Sequence, residues 1–563
     1  MNISFVGSEK EIKFIKKNSP SIKKIYWVPL SLDALFYLDY NKINYINPIK
    51  YFKNLDHYKG IKFNKKYLNI IKPDINLKES LVYRYNSILG KFLNSIFLII
   101  SILKNLEKKY KIENIIVSGW GENNIATKNR NNLISYICSN LFNKKKYNFK
   151  SLSKVNTQVE RVKYNFHCNK INLPKKNFVL ISNPYYNFKR IIAYFRKKNF
   201  NVYYFEFNKL NIIKKLIYKI HGCNPILISK RIINKKKTEL KKTKNIIKYQ
   251  DFNITSLINF QKALAENEIE NIERQNQIIK KVLSNKKPKI IITNLIRGFN
   301  GYLIELAKKN KIPSLAIPHG TLSRGRNIYD NYFNDILSQE LITKNFSHIA
   351  CQSKIFLSFL KQRKITKYIR SGNLIFSESK PKKNKYILYA VTQRFFTNNH
   401  YHGIETYFEF YQNLKYFNRM AKESHYDFLI KLHPNFSYLK KKLEKKFIYL
   451  KFTNRLLDQI LPLSKVLISF SSSSIEDSLY SKVPVILFDS NNRYQHFNAC
   501  KNLDKKNEAM YYVNSLEKLK KCLKTISKSK NIDFGKFIFE GNYKKNIESI
   551  FSLLTRKKIK TNS

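Results

Sequence analysis

Two groups of polar residues in the C-terminal third of the chain have types and spacings that suit anion binding. Ser471, Ser472 and Ser473 belong to a run of four serines that follows an apolar segment. Lys431 and His433 follow another apolar segment, and the next residue is a proline, which biases His433 toward an extended backbone. Hydroxyls and free N–H groups at a helix N-terminus bind phosphate, and ammonium and imidazole groups donate to the same acceptors. These residues predict a phosphate or nucleotide site.

Residues 466–488 predict the elements that would position the serines: a strand, a loop of serines (471–474, the serine loop), a helix and a second strand. Such units build parallel sheets, in which ligands lie beyond the carboxyl ends of the strands. His433 would point into the same crevice if both strands share one sheet. Ser473 and Glu476 also match a capping box, in which serine and glutamate bond to backbone N–H groups. One serine can cap while its neighbours face a ligand, so both interpretations stay open.

Two further turns could line the same crevice. Thr392 and Arg394 follow a predicted strand at 385–391, and the guanidinium of Arg394 could pair with a phosphate or remain a solvated charge. Another strand ends before His319 and Gly320, where glycine permits a tight turn that exposes the imidazole. Histidine titrates near neutral pH without much perturbation, so His319 is the candidate general base. The alternative for His319 is a structural hydrogen bond to a turn carbonyl.

The order Lys-Leu-His-Pro, the serine loop with its glutamate, and then Val-Pro-Val-Ile resembles the donor-nucleotide half of GT-B glycosyltransferases that build bacterial surface polysaccharides. It is similar to the capsule and sialyl- or Kdo-transferase-like groups and to the CDP-glycerol glycerophosphotransferases of teichoic acid synthesis. The resemblance implies that His433 contacts the nucleotide or the leaving phosphate. It also implies that Ser472 and Ser473 bind phosphate and that Glu476 contacts ribose or caps the helix.

The resemblance extends to the preceding half of the chain, where His-Gly-Thr at 319–321 is similar to the acceptor-side motif of the glycerophosphotransferases. Pro318 stands where those enzymes often have tryptophan, and the Asp/Glu-Asp-Gly base motif of sialyltransferases is not evident. The resemblance covers about residues 285 to 500 and carries no information on the donor sugar.

Composition limits the partners. A chain of 563 residues, 43% hydrophobic, predicts two or three packed domains. The net charge of +68 accompanies a Lys, Asn, Ile, Tyr and Phe bias, and the lysines are spread along every segment, so no nucleic-acid partner is predicted. The charge predicts attraction to nucleotide phosphates, acidic glycans and anionic lipid headgroups. Six cysteines without C-x-x-C spacing, and no Asp-x-Asp at a strand end, predict no metal site, and no cofactor is expected.

No signal peptide is evident, and the longest apolar run, residues 97–103, is too short to span a bilayer and predicts a buried helix. We therefore expect a cytoplasmic protein with peripheral contact at the anionic inner face of the plasma membrane. The predicted fold is α/β, with two Rossmann-like domains facing a cleft (GT-B) and an extra N-terminal α/β region. The predicted limits are 1–165 for that region, 170–378 for an acceptor-side domain, 385–550 for a nucleotide-donor domain and 551–563 for a disordered tail.

The predicted function is a metal-independent glycosyltransferase of surface polysaccharide biosynthesis. It would use a CMP- or CDP-linked donor and a glycan or polyol-phosphate acceptor. Lys431 and the serine loop would neutralise the leaving phosphate, and His319 would activate the acceptor. Two alternatives stay open: a CDP-glycerol-type glycerophosphotransferase, and a non-catalytic GT-B-like scaffold that binds glycan or membrane.

Overall fold

The computed structural model describes most of the chain, with gaps. The described residues are 1–22, 24–52, 62, 77, 79–119, 133–142, 147–153, 159–168, 173–182, 188–207, 210, 212–238, 246–296, 298–318, 322–325, 331, 338, 341–342, 345–379, 385–390, 403–424, 426–470, 472–491 and 497–555.

In the described part of the N-terminal unit, four parallel strands form a sheet in the order β2-β1-β3-β4. The strands are β1 (Asn2–Val6), β2 (Ile25–Pro29), β3 (Asn114–Val117) and β4 (Asn148–Ser151). The helices are α1 (Glu9–Asn18), α2 (Leu32–Tyr40), α3 (Glu79–Glu107) and α4 (Leu133–Phe142), with a 3-10 turn at Pro48–Tyr51. Ser8 and Ser31 cap α1 and α2 by accepting from N–H groups three residues on.

Helix α3 is, among the described residues, the one helix long and apolar enough to cross a membrane. Its most apolar window is 88% buried inside the protein. Residues 97–103, predicted as a buried helix, lie in α3 with every apolar side chain buried, which confirms that prediction.

The central domain holds a sheet with the order β14-β13-β12-β11-β6-β7-β8-β5 in the part of the chain that the structure describes. All neighbours pair in parallel except β5, which lies antiparallel to β8. The strands are β5 (Val159–Cys168), β6 (Phe178–Ile181), β7 (Asn201–Glu206), β8 (Cys223–Thr238), β11 (Ile290–Thr293), β12 (Ser314–Ala316), β13 (His348–Cys351) and β14 (Tyr368–Arg370), beside a small hairpin of β9 (Lys248–Tyr249) and β10 (Phe252–Asn253). Its helices are α5 (Lys189–Lys197), α6 (Ile212–Ile220), α7 (Thr255–Val282), α8 (Phe299–Lys309) and α9 (Lys354–Gln362).

The C-terminal domain holds a parallel sheet with the order β17-β16-β15-β18-β19-β20 in its described residues. The strands are β15 (Tyr386–Ala390), β16 (Phe428–Lys431), β17 (Lys451–Thr453), β18 (Ser464–Ser469), β19 (Val485–Phe488) and β20 (Met510–Val513). The helices are α10 (Gly403–Ser424), α11 (Lys440–Lys446), α12 (Leu457–Ile460), α13 (Ser474–Tyr480), α14 (Leu516–Ser527) and α15 (Tyr543–Thr555), with 3-10 turns at Pro434–Leu439 and Leu461–Leu463.

Both larger sheets are doubly wound. In the C-terminal domain the chain runs β15, β16, β17 to one side and then returns to place β18 beside β15, so the order reverses between β15 and β18. In the central domain the reversal lies between β6 and β11. Ligands of such sheets bind at these switch points. This topology confirms the predicted fold class, with two Rossmann-like domains and an additional N-terminal α/β region; the predicted domain limits stay predictions.

Two segments fold differently from what their residue patterns suggest. Residues 231–238 are rich in lysine and show no clear apolar alternation, but they extend β8 and pair with β5. Residues 454–464 have the apolar spacing of a helix, but the structure has only the short α12 and a 3-10 turn there. Pro462 lies in that turn and, without an N–H, cannot continue the helix.

In the described residues, the chain crosses between the central and C-terminal domains at two neighbouring points. The first crossing follows Phe376, and the second returns α15 to the central domain, where Phe551 packs on Phe195 with ring centroids 4.6 Å apart. Arg190 joins the crossings because it donates to Phe376 O at 2.8 Å and lies over the Tyr543 ring at 4.1 Å.

Gly372 lies beside the second crossing and needs to be glycine. Its φ is +60°, and a Cβ there would stand 2.5 Å from Asn546 Nδ2 on α15. Asn546 in turn donates to Asn373 O at 3.2 Å.

The N-terminal unit is joined to the C-terminal domain through Asp39 at the end of α2. The carboxylate accepts hydrogen bonds from Lys415 at 2.6 Å, from Tyr411 at 2.8 Å and from Lys446. Burial would raise the pKa of Asp39, but these hydrogen bonds outweigh it and lower the pKa to about 2.

Candidate nucleotide-binding site

The serine loop lies at the switch point of the C-terminal sheet. Ser469, the last residue of β18, donates from its hydroxyl to Ala390 O at 2.7 Å, and Ser474 donates to the same carbonyl at 3.4 Å. Both serines are buried. Two hydroxyls on one carbonyl hold the loop against the end of β15, which is where a ligand of this sheet would bind.

The start of α13 leaves the middle of the serine loop accessible. Ser473 is the N-cap residue, but its backbone is already helical and its side chain makes no capping bond. Ser472 Oγ instead accepts from the N–H of Ser474 at 3.3 Å. The capping box expected from Ser473 and Glu476 is therefore not formed. Ser472 and Ser473 are both partly exposed, as a phosphate contact requires.

Lys431 and His433 lie at the same edge of the sheet. Lys431 ends β16 in register with Ala390 on β15 and Thr453 on β17. It is partly exposed, donates to Leu432 O at 3.1 Å, and has its pKa lowered by burial. His433 is partly exposed too, and its carbonyl accepts from Phe436 N at 2.8 Å, which begins the 3-10 turn.

The strands that precede the imidazole and the hydroxyls share one sheet, as the prediction for His433 required, but they are not neighbours in it. Strand β15 separates β16 from β18, so the two turns stand about 10 Å apart at the level of the strands. They can contact one ligand only from opposite sides of the β15 end.

Glu476 is directed away from the accessible part of the loop. It is 2% exposed and accepts a hydrogen bond from the hydroxyl of Ser353, which also caps α9 by accepting from Phe356 N at 3.1 Å. Ser353 belongs to the central domain. This geometry favours a joint between the domains over the predicted ribose contact.

The rest of α13 contacts the central domain as well. The Tyr480 hydroxyl donates to Gln352 O, and its ring stacks on Phe376 at 6.0 Å. Ser377 N donates to Asp477 Oδ1 at 2.7 Å. Burial raises the pKa of Asp477 to about 7, and the negative charge of the adjacent Glu476 contributes to the rise. The helix that begins at the serine loop is thus the contact between the two sheets.

The contact between the domains also involves the residue that precedes the candidate base. Gln352 is buried, and its Nε2 donates to Pro318 O at 3.1 Å while its Oε1 accepts from Leu374 N at 3.2 Å. Pro318 precedes His319. His319 itself, Thr392, Arg394 and Ser471 lie outside the described residues, so their assignments stay predictions.

Sequence reasoning missed the residues that hold these turns together. Ser353 precedes an apolar helical segment, which is a visible capping signal, but nothing in the sequence indicates that its hydroxyl also meets Glu476. Gln352 and Ser469 act through backbone carbonyls, and such contacts leave no sequence pattern.

No protein-family model and no curated protein sequence matches the chain. Solved structures do resemble it. UDP-GlcNAc 2-epimerase from Methanocaldococcus jannaschii, in complex with UDP-GlcNAc and UDP, is 16% identical with a TM-score of 0.41, over 68% of this chain and 99% of that one. The UDP-GlcNAc 2-epimerase of Neisseria meningitidis bound to UDP-GlcNAc is 14% identical with a TM-score of 0.41, over 68% of this chain and 100% of that one.

The wall teichoic acid polymerase TagF is 15% identical to the chain with a TM-score of 0.38, over 68% of this chain and 89% of that one. At these scores the neighbours add no argument about substrate or reaction. The fold therefore rests on the strand orders of the two larger sheets, and any function has to be argued from the residues at their carboxyl edges.

Proposed function

We propose that the chain is a metal-independent GT-B transferase that uses a nucleotide-activated donor, of the CMP- or CDP-linked class, in the synthesis of a surface glycan. One observation carries the proposal. Helix α13 begins at a serine loop held at the switch point of one doubly wound sheet and contacts Gln352 in the central domain, whose side chain donates to the carbonyl of Pro318, the residue before His319. Donor phosphate and acceptor base would then face each other across one joint.

The C-terminal domain would hold the donor. Ser472 and Ser473 offer hydroxyls to its phosphate, Lys431 offers an ammonium, and His433 reaches the nucleotide from the far side of β15. Positive charge and N–H groups in fixed positions stabilise the charge that develops on a departing phosphate, which is often the largest catalytic contribution. Thr392 and Arg394 would extend the same site.

The transfer step needs one base. The acceptor oxygen forms a bond to the anomeric carbon while the bond from that carbon to the phosphate oxygen breaks. His319 takes the proton of the acceptor hydroxyl, and the electron pair leaves with CMP or CDP. Closure of the two domains around the crossing at 377–385 would exclude water from the reacting groups.

We propose a cytoplasmic location, where nucleotide-activated donors are made, with a glycan or polyol-phosphate as acceptor. In a glycerophosphotransferase the acceptor oxygen would instead attack the distal phosphorus of CDP-glycerol, the phosphoanhydride bond would break, and CMP would leave. The mass of the product separates the two reactions, because one adds a sugar and the other a phosphoryl-polyol.

Titration calorimetry with CMP, CDP, UMP and UDP tests the donor site. We expect binding of a cytidine nucleotide and a loss of about 100-fold or more in affinity for the Ser472→Ala, Ser473→Ala double variant, since hydrogen bonds to a charged group contribute about 1.5–3 kcal/mol each and the variant removes two. Ser527→Ala removes an exposed hydroxyl that bonds within α14 and serves as the control. No affinity for any of the four nucleotides would contradict the proposal and favour a non-catalytic scaffold.

His433→Ala tests the far side of the site. We expect turnover to fall by about 100-fold or more while the circular dichroism spectrum is unchanged. A fully active His433→Ala variant would remove His433 from the donor site and leave the serine loop and Lys431 as the described anchors of the phosphate.

A further inference from the structure

Helix α6 exposes an apolar surface that no other described part of the fold covers. Of its described side chains, five aliphatic ones are exposed: Ile212 by 84%, Ile213 by 68%, Leu216 by 57%, Ile217 by 42% and Ile220 by 63%. They form what we call the α6 stripe. Helices at a protein surface normally turn such a stripe toward the core. Helix α5, which precedes α6, does so with Ile191, Ile192 and Phe195.

The α6 stripe faces away from the domain. At about 100° per residue its members fall within an arc of about 140°. Tyr218 lies on the opposite side of the helix, and its ring packs edge to face on Tyr204 of β7 at 5.3 Å. The aromatic residue therefore holds α6 to the sheet, while the aliphatic residues point outward.

Positive charge surrounds the C-terminal end of the stripe. Lys219, Arg196 and Lys197 are exposed, and Arg196 donates to Ile220 O at 3.0 Å. The pKa of His221 is lowered mainly by burial, and the positive charges of Lys189 and Arg196 lower it further. A lipid surface with anionic headgroups would complement both the positive charge and the apolar stripe.

We propose that α6 is a membrane-docking helix that lies flat on an anionic lipid surface, with the α6 stripe in the headgroup boundary and the lysines and arginine among the phosphates. A helix of nine residues is about 14 Å long and cannot cross a bilayer, but an amphipathic helix with a basic rim binds its surface. A protein partner is disfavoured because the stripe lacks the Trp, Tyr and Arg anchors that dominate protein interfaces. The inference does not depend on the proposed transfer reaction.

Vesicle sedimentation tests this docking. We expect the full chain to bind phosphatidylcholine vesicles that contain phosphatidylglycerol, to bind pure phosphatidylcholine much more weakly, and to be released by salt. Ile213→Asp with Leu216→Asp should lower the partition coefficient by about 10-fold or more. Ile448→Asp, at an isoleucine 70% exposed elsewhere, is the matched control and should bind as the wild type does.

A second variant keeps the test independent of the stripe. Lys197→Glu with Lys219→Glu should weaken binding to the anionic vesicles and leave the weak binding to neutral ones unchanged. Failure of the wild type to bind anionic vesicles, or equal binding by the stripe variant, overturns the proposal. If light scattering shows a dimer that the stripe variant dissociates, and vesicles are not bound, the stripe is an interface between two copies and the proposal is wrong.

Discussion

The backbone N–H of Ser377 donates a 2.7 Å hydrogen bond to Asp477, and this bond ties the first interdomain crossing to the helix that begins at the serine loop. The acceptor is a carboxyl group whose pKa burial raises to about 7. The joint between the domains therefore contains a group that titrates in the physiological range.

Asp477→Asn should make stability less dependent on pH. Because the folded state binds the proton more tightly than the unfolded chain, the free energy of unfolding of the wild type falls as pH rises from about 4 to about 7, and the loss is complete above that range. Asparagine keeps an acceptor for Ser377 and has no charge to bury. Urea unfolding at pH 5 and pH 8 should show a wild-type difference of about 2–4 kcal/mol that the variant lacks.

The exposed Asp504 supplies the control for that experiment, since its side chain is 76% accessible and lies away from the joint. Asp504→Asn should retain the wild-type pH dependence. Equal pH dependence in wild type and Asp477→Asn would show that the Asp477 carboxyl does not carry it.

Ser353→Ala should destabilise the protein more than loss of an ordinary helix cap. It removes the cap of α9 and also the hydroxyl that donates to the buried Glu476. Ser515 caps α14 within the C-terminal domain by accepting from Lys518 N at 3.2 Å. In chemical unfolding we expect the free energy of unfolding to fall by about 1 kcal/mol for Ser515→Ala and by about 2–4 kcal/mol for Ser353→Ala. Equal losses would mean that the bond to Glu476 contributes nothing.

His319→Ala should abolish most transfer activity without changing nucleotide affinity. Loss of a general base lowers the turnover number by about 100- to 10,000-fold. His167→Ala, at an exposed histidine on β5, is the control and should be fully active. Reduced affinity for CMP or CDP in His319→Ala would contradict an acceptor-side role, because the donor should bind without this imidazole.

Asp39→Asn should loosen the N-terminal unit from the C-terminal domain at neutral pH. The lowered pKa of Asp39 means that its contribution to stability is complete above its ordinary value of 3.8 and is lost as pH falls toward about 2. Hydrogen exchange should become faster in α2 and α10 of the variant. Asp427→Asn, which breaks a pair with Lys451 inside the C-terminal domain, should leave those helices protected.

Much of the fold could be predicted because buried parallel strands appear as short apolar runs. The strands that deliver Lys431, the serine loop and the residues before His319 were all located in this way. The extension of β8 could not be found, since its residues 229–236 are exposed and it is stabilised by backbone pairing with β5.

The site was predicted less completely than the fold. The residue types near His433 and Ser472 indicated an anion-binding site. Strand order, however, is a property of the whole sheet, and no local sequence pattern shows that β15 lies between these two residues. Glu476 illustrates a second limit. Its position fits a capping box, yet the decisive partner is Ser353, more than a hundred residues earlier and in another domain.

The double passage of the chain beside Arg190 has a mechanical consequence. Two domains joined at two neighbouring points resist twisting and sliding against each other more than two domains joined at one point would. Arg190 contacts both connections and holds them together, so the residues that meet at the joint keep their relative positions.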